Sequence, residues 1–436
     1  MTGDAPDTEG LPGDLGELDQ AELGEALTRR FFRYVAVPSQ SDASVQSLPS
    51  SPGQRELAEL LAGELRALGL QDVHLDEQSI LTARRPGDLP GAPGIGFVAH
   101  LDTVDVGLSP EIRPQVLTYT GEPVALRRNP DIWFLPQEHP EAAPYTGEEI
   151  IFSDGTSVLG ADNKAAIAVI MELLARLQRS PFPCGDLYVA FVPDEEIGLR
   201  GAKVLDLNRF APEFAYTIDT EQLGSFVYET FNAAAAEVEI EGVPAHPISA
   251  KGVLVNPVLV ACDLIARLDR LETPEHTEGR EGYFYVTDLQ AGAARARLNV
   301  NIRDFDRQEF ARRKAHVEEI VQETRQQHPG AVITLRLEDV YSNIADALGD
   351  DRRAVTLLEA AFAAQGLTPQ VVPMRGGTDG SALSVRGLPT PNFFTGAHNF
   401  HSRFEFLPLR SLVSSYRVAE DLCRLAGEVA RQQAQT

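Results

Sequence analysis

Cysteine is scarce in this chain of 436 residues, which contains only Cys184, Cys262 and Cys423. Their number is odd, their spacing is wide, and no Cys-x-x-Cys pair occurs. A disulfide framework or a cysteine-ligated zinc site is therefore not expected, and the pattern fits a reducing cytoplasm.

Basic charge is also scarce, because 38 lysines and arginines stand against 64 aspartates and glutamates, a net charge of −26. Nucleic acid and anionic membrane surfaces both require a basic face on the protein, so neither partner is expected. Long apolar runs are missing as well. The chain starts without a segment of signal-peptide type, and the apolar run at residues 165–171 is far too short to span a membrane. We expect a cytoplasmic protein.

The length of the chain predicts two domains, since 436 residues exceed one ordinary core. Residues 1–20 are rich in acidic residues and have no basic residue, which predicts a disordered leader. An amphipathic helix is expected from about Glu22. We assign residues 21–229 and 345–436 to a catalytic domain, and residues 230–344 to an inserted lid or dimerisation domain.

The hydrophobic pattern changes along the chain. Continuous apolar stretches at residues 94–99, 187–192 and 215–218 are typical of strands in a sheet covered on both faces. The proline-rich residues 108–148 predict a long loop or a β-hairpin insertion. From about residue 236 the strands alternate in polarity and follow a β-α-β-β-α-β order. The sequence therefore predicts an α/β domain interrupted by a ferredoxin-like α+β lid.

Histidines and carboxylates follow several of the predicted strands. They are His100, Asp102, Asp162, Glu195, Glu196, Asp219 and His401. Taken one at a time, they are better explained as a surface histidine, a helix N-cap or a solvated acidic loop. Taken together, they supply ligands from separate strand ends and one acid left over as a base, which is the composition of a two-metal hydrolytic site.

The ligands divide in a simple way between two metal ions. If both ions share Asp162, each takes one histidine and one further carboxylate, Asp219 or Glu196, and Glu195 remains free as general base. Asp102 can hold the second ring nitrogen of the histidine two residues before it. A nitrogen and oxygen ligand set without sulfur suits zinc, with cobalt or manganese as alternatives.

The chain resembles the peptidase T family of dizinc exopeptidases from about Leu27 to its C-terminal helix. The matching motifs are Gly96-Phe-Val-Ala-His-Leu-Asp-Thr103, Ser153-Asp-Gly-Thr156, Leu159-Gly-Ala-Asp-Asn-Lys-Ala165, Pro193-Asp-Glu-Glu-Ile-Gly198, Phe231-Asn-Ala-Ala234, Ala250-Lys-Gly252, Ile302-Arg-Asp-Phe-Asp306, Arg375-Gly-Gly-Thr-Asp-Gly380 and Asn399-Phe-His401. The resemblance implies a catalytic domain with a mixed central sheet flanked by helices, interrupted by the lid.

The resemblance also implies a role for each residue at the metal centre. One zinc ion would be held by His100, Asp162 and Asp219, and the other by Asp162, Glu196 and His401. Asp102 would orient the first histidine, and Glu195 would be the general base. The peptide bond after the bridging aspartate would be cis.

Three further residues match positions at which the family contacts its substrate. His246 would polarise the scissile carbonyl and stabilise the oxyanion. Arg303 would grip the terminal carboxylate of the substrate, and Arg375 is a candidate for a second contact with that anion.

This chain departs from the family beside several of the ligands. Asn163 stands where a second aspartate is usual, Glu221 lies in a stretch that is otherwise glycine-rich, and His398 replaces an aromatic residue, commonly tyrosine. Ser402 to Phe404 replace Gly-Lys-His. None of these changes removes a ligand or the base, so they concern substrate choice more than chemistry.

The resemblance implies a zinc-dependent aminopeptidase that releases the N-terminal residue of short peptides, with tripeptides as the expected substrates. A related dipeptidase, carboxypeptidase or N-acyl-amino-acid deacylase would use the same chemistry. A non-enzymatic metal- or peptide-binding relative is a more distant alternative. The open face of the lid sheet also makes a homodimer through the lid an expected partner arrangement.

Overall fold

The structure, a computed structural model, describes residues 17–126 and 131–434. Within these residues the chain forms ten α-helices. They are α1 (Glu17–Val35), α2 (Pro52–Ala67), α3 (Ala161–Arg179), α4 (Arg200–Val204), α5 (Pro257–Ile265), α6 (Arg307–Gln327), α7 (Ile344–Leu348), α8 (Arg353–Ala364), α9 (Asp379–Val385) and α10 (Leu409–Ala434). None of these helices has a stretch both long enough and apolar enough to cross a bilayer.

The same residues form seventeen β-strands. They are β1 (Gln71–Leu75), β2 (Leu81–Arg85), β3 (Ile95–His100), β4 (Gln115–Thr118), β5 (Val124–Ala125), β6 (Trp133–Phe134), β7 (Glu149–Phe152), β8 (Leu187–Val192), β9 (Phe214–Thr220), β10 (Ser225–Val227), β11 (Asn232–Glu241), β12 (Tyr283–Ala291), β13 (Arg295–Asp304), β14 (Val332–Tyr341), β15 (Gln370–Val371), β16 (Asn392–Phe394) and β17 (Phe406–Pro408).

The catalytic domain is built on a mixed eight-stranded sheet in the order β1-β2-β8-β3-β9-β16-β10-β15. The four central strands β8, β3, β9 and β16 are parallel to one another, whereas β1, β2 and β10 introduce antiparallel pairs. The core on one face of the sheet contains α1, α2, α3, α8 and α10, and the core on the other contains α4 and α9. The continuous apolar strands predicted from the sequence are therefore covered on both sides.

The segment predicted as a loop or hairpin insertion contains both. Its first strand, β4, pairs with β7, and β17 pairs on the other side of β7, forming a small antiparallel sheet. The short hairpin of β5 and β6 packs beside it. A separate cluster of buried side chains that includes Tyr119, Phe134, Phe152 and Phe406 holds these pieces together.

The lid is a four-stranded antiparallel sheet in the order β12-β13-β11-β14, with α5 and α6 against one face. Burial alternates along β11 and β13, because every second side chain packs on the helices and the others face outward. The ferredoxin-like prediction is confirmed. The chain segments that enter and leave the lid are hydrogen-bonded to each other. Asn343 Oδ1 accepts the Thr230 amide at 2.9 Å, and Asn232 Oδ1 accepts the Asn343 amide at 3.0 Å.

The predicted end of the leader and the predicted start of the first helix both differ from the structure. The first helix begins at Glu17 and not near Glu22, so residues 17–20 of the predicted leader are helical, while residues 1–16 lie outside the described residues. Acidic residues, whose abundance predicts disorder, are also favoured in the first turn of a helix, where they face the positive end of its dipole.

Candidate functional site

The site lies where neighbouring parallel strands end at one edge of the central sheet. His100 is the last residue of β3, Glu195 and Glu196 follow β8, and Asp219 lies near the end of β9. The registers pair β3 with β8 on one side and with β9 on the other, so these ends are adjacent. Ligands of open α/β sheets typically bind at such carboxyl ends.

Asp162 lies between the two histidines. It stands in the first turn of α3, where it and Asn163 have non-helical backbone angles and the peptide bond between them is cis, as the resemblance implies. Its Oδ1 is 2.8 Å from Nε2 of His100, and its Oδ2 is 3.1 Å from Nε2 of His401. One carboxylate therefore presents an oxygen to each histidine, as a group that bridges two cations would.

The other two predicted ligands complete the arrangement. Glu196 Oε1 lies 3.1 Å from Nε2 of His401, and Asp219 Oδ2 lies 4.0 Å from Nε2 of His100. Potential ligand atoms of His100, Asp162 and Glu196 all lie within 4.8 Å of one another. The structure thus brings together all five residues predicted to hold metal.

The pKa values of the ionisable groups in this cluster are strongly shifted. Burial, reinforced by neighbouring carboxylates, raises the pKa of Glu196 to about 7 and the pKa of Asp219 well above its ordinary value. A hydrogen bond to Asp162 and the neighbouring carboxylate of Glu196 raise the pKa of His401 to about 11. Burial also raises the pKa of Glu195 well above the ordinary range for glutamate. So many buried carboxylates require compensating positive charge, from protons or from cations.

The donor set fits a metal ion. Glu196 Oε1 is buried and accepts no hydrogen bond from the described residues, although His401 lies beside it. Two imidazoles and three carboxylates converge without sulfur, which is the chemistry of a zinc, cobalt or manganese site.

Asp102 supports the site in two ways. Its Oδ1 is 3.3 Å from Nδ1 of His100, on the ring edge opposite Asp162. Its two oxygens also accept the backbone amides of Glu195 and Glu196 at 3.0 and 3.1 Å. The carboxylate therefore contacts the histidine and holds the acidic loop after β8, a second contact that the sequence pattern does not show.

Asn163 connects three of the ligand-bearing segments. Its Nδ2 donates to the Ile218 carbonyl at 2.7 Å and to Asp219 Oδ1 at 3.0 Å, and its Oδ1 accepts the His100 amide at 3.3 Å. An amide satisfies these donor and acceptor partners at once. Asn163 is therefore compatible with the site, although an aspartate is usual in the family.

The loop that carries His401 is compact and closed at its base. Backbone hydrogen bonds join His398 to Phe406 in both directions, and Asn399 and His401 adopt left-handed backbone angles. The His398 ring stacks on Phe406 at 4.9 Å and contacts the Tyr145 hydroxyl at 2.9 Å. Burial lowers the pKa of His398 to about 4.

The neighbouring departures from the family also have structural partners. Phe404 packs against His139 at 4.8 Å and against Phe134 at 6.4 Å, within the aromatic cluster of the insertion. Glu221 is exposed, and its Oε1 accepts the Phe400 amide at 3.2 Å. Glu221, directly after β9, therefore holds the residue before His401, and Phe404 anchors the loop in the aromatic cluster.

Sequence reasoning missed Glu405. Its carboxylate is 1% exposed and accepts the backbone amides of four consecutive residues, 159 to 162, in the turn that carries Asp162. Burial raises the pKa of Glu405 to about 8, and the amide hydrogen bonds oppose that rise. The only signal in the sequence was an acidic residue four positions after His401.

Asp379 was also missed. It lies in the first turn of α9, is 2% exposed, and its Oδ1 has no hydrogen-bond partner among the described residues. Burial raises the pKa of Asp379 to about 7, and the nearby charges of His100 and Asp102 also act on it. It belongs to the motif from which only Arg375 was singled out.

The three predicted substrate contacts have partners other than the metal ligands among the described residues. His246 is on an exposed turn of the lid, where its Nδ1 accepts the Ile248 amide at 3.3 Å. Arg303, on β13, donates to the Ala234 carbonyl at 3.0 Å and lies over the Tyr341 ring at 5.5 Å.

Arg375 is tied to the lid. It donates to the carbonyls of Gly279 and Glu281 at 3.2 and 2.9 Å and to Thr277 Oγ1 at 2.7 Å. Its guanidinium also lies 5.3 Å from the Tyr283 ring. Three hydrogen bonds and this ring occupy Arg375 at the junction between the domains.

Comparison with known proteins agrees with this geometry. A family model described as a peptidase dimerisation domain matches residues 228–330, and one described as M42 glutamyl aminopeptidase matches residues 148–249. A tripeptidase of Staphylococcus aureus has a similar fold, with a TM-score of 0.73 and 21% identity over 93% of this chain and 99% of its own. Fold and site together define a metallopeptidase with an inserted dimerisation-type domain.

Sequence relatives give the particular family. A peptidase T-like protein of Yersinia pestis is 57% identical over 93% of this chain and 99% of its own length. Peptidase T of Geobacillus kaustophilus is 40% identical over 92% of this chain and 98% of its own length. The chain belongs to the peptidase T family, and the resemblance read from its motifs is confirmed.

Proposed function

We propose that this protein is a zinc-dependent aminopeptidase that releases the N-terminal residue of short peptides, with tripeptides as substrates. The observation that carries the proposal is the Asp162 carboxylate between His100 and His401, with Glu195 beside this cluster and outside the ligand set. The tripeptidase of similar fold and the match to an aminopeptidase model support the choice of substrate and of bond.

The chain's own residues divide the metal ions between them in this proposal. His100, Asp162 and Asp219 would hold one ion, and Asp162, Glu196 and His401 the other. When bound, the ions would polarise the scissile carbonyl and make the attacking water more acidic.

Glu195 is the proposed general base. It takes a proton from the attacking water and returns it to the amine of the leaving peptide, and burial raises its pKa above the ordinary value for glutamate. Asp102 holds the Glu195 amide at 3.0 Å and so fixes the approach of this side chain.

The lid supplies the proposed contacts with the substrate. His246 donates a hydrogen bond to the oxyanion, and Arg303 pairs with the terminal carboxylate, which a tripeptide presents within reach and a longer peptide does not. His246 is exposed on the lid, and in this proposal it reaches the site by movement of the lid or from a second copy of the chain. A homodimer through the lid is part of the proposal, as is a cytoplasmic location.

A panel of small peptides tests the function. Purified protein loaded with zinc should cleave the first peptide bond of a free tripeptide, and should act poorly on the same peptide when it is N-acetylated or C-amidated. Cobalt- and manganese-loaded protein, assayed in parallel, identifies the more active metal.

Each other activity gives a different result in this panel. Faster release of the C-terminal residue indicates a carboxypeptidase, preference for the N-acetylated form a deacylase, and preference for dipeptides a dipeptidase. Metal-loaded protein that binds all the peptides and cleaves none would reject catalysis altogether.

A further inference from the structure

Glu405 forms an unusual set of contacts beside the site. Its Oε2 accepts the amides of Leu159 and Gly160 at 2.7 and 2.9 Å, and its Oε1 accepts those of Ala161 and Asp162 at 2.8 and 3.2 Å. All four donors belong to the turn that begins α3. A carboxylate at the first turn of a helix is favoured by the helix dipole and by the unpaired amides there.

The same side chain belongs to the loop that carries His401. The Glu405 amide donates to the Ser402 carbonyl at 3.1 Å, and the next residue, Phe406, closes the base of the loop through its backbone pairing with His398. Glu405 and Asp162 are 243 positions apart in sequence. The carboxylate therefore joins two segments of the catalytic domain that are far apart in sequence and that also meet at the contact between His401 and Asp162.

We propose that Glu405 is a positioning residue that fixes the turn carrying Asp162 against the loop carrying His401, and thereby the spacing of these two ligands. The proposal rests on the metal site of the proposed function. In the structure the ligand atoms of these two residues are 3.1 Å apart, while the backbone segments behind them are linked by the hydrogen bonds to Glu405. Without these hydrogen bonds, each ligand would keep its place on its own segment, but the distance between the two ligands would no longer be fixed.

The proposal predicts an effect on one metal ion more than on the other. His401 belongs to the set formed with Asp162 and Glu196, whereas His100 and Asp219 belong to strands of the central sheet, and the hydrogen bonds of the Glu405 side chain among the described residues all go to residues 159–162. Residues that orient ligands typically change metal affinity by about 10- to 100-fold. Loss of Glu405 should weaken binding of the ion held by Asp162, Glu196 and His401 by about that factor.

The experiment uses the full chain with the substitution Glu405→Gln, which keeps the size of the side chain and replaces one acceptor oxygen by an amide donor. Metal-free protein is titrated with cobalt, and binding is followed by calorimetry and by the visible absorption of the bound ion. Wild-type protein should bind two ions. The variant should bind one ion normally and the other about 10- to 100-fold more weakly, with an altered spectrum for the weakened ion only.

Glu172→Gln is the matched control. Glu172 is a carboxylate of the same helix, 3% exposed, whose oxygens pair with Arg30 and Arg179 far along α3 from Asp162. It should lower thermal stability without changing either affinity for cobalt. An equal loss of cobalt affinity in both variants would show a general effect of destabilisation and overturn the proposal.

Glu405→Asp keeps the charge on a shorter side chain and should restore part of the lost affinity. If neither Glu405 variant folds, Glu405 is a requirement of folding and the positioning role is rejected. If both fold and bind two ions with wild-type affinity, the role is likewise rejected. Failure of the wild-type chain itself to bind two ions would reject the proposed dinuclear site instead, so the two failures are distinguishable.

Discussion

Replacing Glu195 with glutamine removes the proposed base while keeping the size of the side chain and its backbone contact with Asp102. Because general-base catalysis typically contributes about 10²- to 10⁴-fold, kcat for a tripeptide should fall by about that factor, with little change in KM. Initial rates of zinc-loaded protein measure the effect, and metal analysis should show unchanged zinc content. Glu213→Gln, a substitution on the surface, should have wild-type rates. Near-normal turnover of Glu195→Gln with zinc bound would falsify the mechanism.

His398 predicts a specific dependence of stability on pH. The pKa of His398 is about 4 in the folded chain against an ordinary value of 6.5, so its contribution to stability is complete above about pH 6.5 and is lost as the pH falls toward 4. This difference corresponds to about 3 kcal/mol. His398→Phe, which retains a ring to stack on Phe406, should lose less stability over that range.

Urea unfolding at several pH values between 6.5 and 4 measures this slope. His74→Phe, a change at a partly buried histidine of β1, is the control and should keep the wild-type slope. If wild-type protein and His398→Phe lose stability in parallel, the buried neutral histidine is not a source of the acid sensitivity.

At the scale of single residues, the sequence predicted the metal ligands and the base better than it predicted the residues that hold them in place. His100, Asp162, Glu196, Asp219 and His401 stand in motifs whose residue types are uncommon together, so they could be recognised before the fold was known. Glu405 and the second role of Asp102 act through backbone amides. An amide looks the same in every sequence, and such contacts therefore leave no motif on the partner side.

At the scale of elements, sequence and structure suggest two different roles for Arg375. The sequence suggests a contact with the substrate anion, whereas the structure shows three hydrogen bonds from Arg375 to the lid segment around Thr277 and Glu281. Since hydrogen bonds involving charged groups contribute about 1.5–3 kcal/mol, Arg375→Ala should lower the free energy of unfolding by at least about that amount.

Urea unfolding and tripeptide kinetics on the same preparation test this. The junction role predicts a loss of stability with a modest change in KM. A rise in KM of tenfold or more with unchanged stability would instead support the substrate contact. Arg336→Ala, on the exposed face of β14, is the control for loss of a lid arginine.

Long elements were more predictable than short ones. Helix α6 and the strands of the lid repeat their polarity over nine or more residues, and their order could be recognised from that period. The insertion before β7 could not be resolved, because β5 and β6 have two residues each and carry no periodicity. The loop from His398 to Phe406 is also held by contacts with residues distant in sequence, Tyr145 and Glu221, which local sequence does not encode.

For the whole molecule, the lid carries an exposed apolar surface near His246. Ile248 is 89% exposed, Leu259 60% and Val253 52%, values unusual for large aliphatic side chains. The family model for peptidase dimerisation domains covers this segment. An apolar surface of this kind marks an interface more often than a free surface, and it supports the proposed homodimer.

The substitutions Ile248→Asp and Leu259→Asp, made together, should therefore convert a dimer to a monomer in sedimentation velocity. Val385→Asp, at a position in α9 that is 54% exposed, is the matched control outside the lid and should leave the assembly unchanged. If His246 acts across the interface, the monomeric variant should also have a lower kcat. Mixing this variant with excess Glu195→Gln protein should restore activity only if the two proteins form mixed dimers. Unchanged sedimentation of the double variant would place the interface elsewhere.

The net charge of −26 gives this interface a further property. Two copies with the same charge repel each other, and the repulsion reaches about 30 Å at 0.01 M salt but only about 8 Å at 0.15 M. Apolar contacts are not weakened by moderate salt, so the dimer should become tighter as salt increases over that range. Sedimentation at several protein concentrations measures the dissociation constant at each ionic strength. A dimer that weakens with added salt would instead be held by complementary charges, and the apolar surface around Ile248 would not be its main contact.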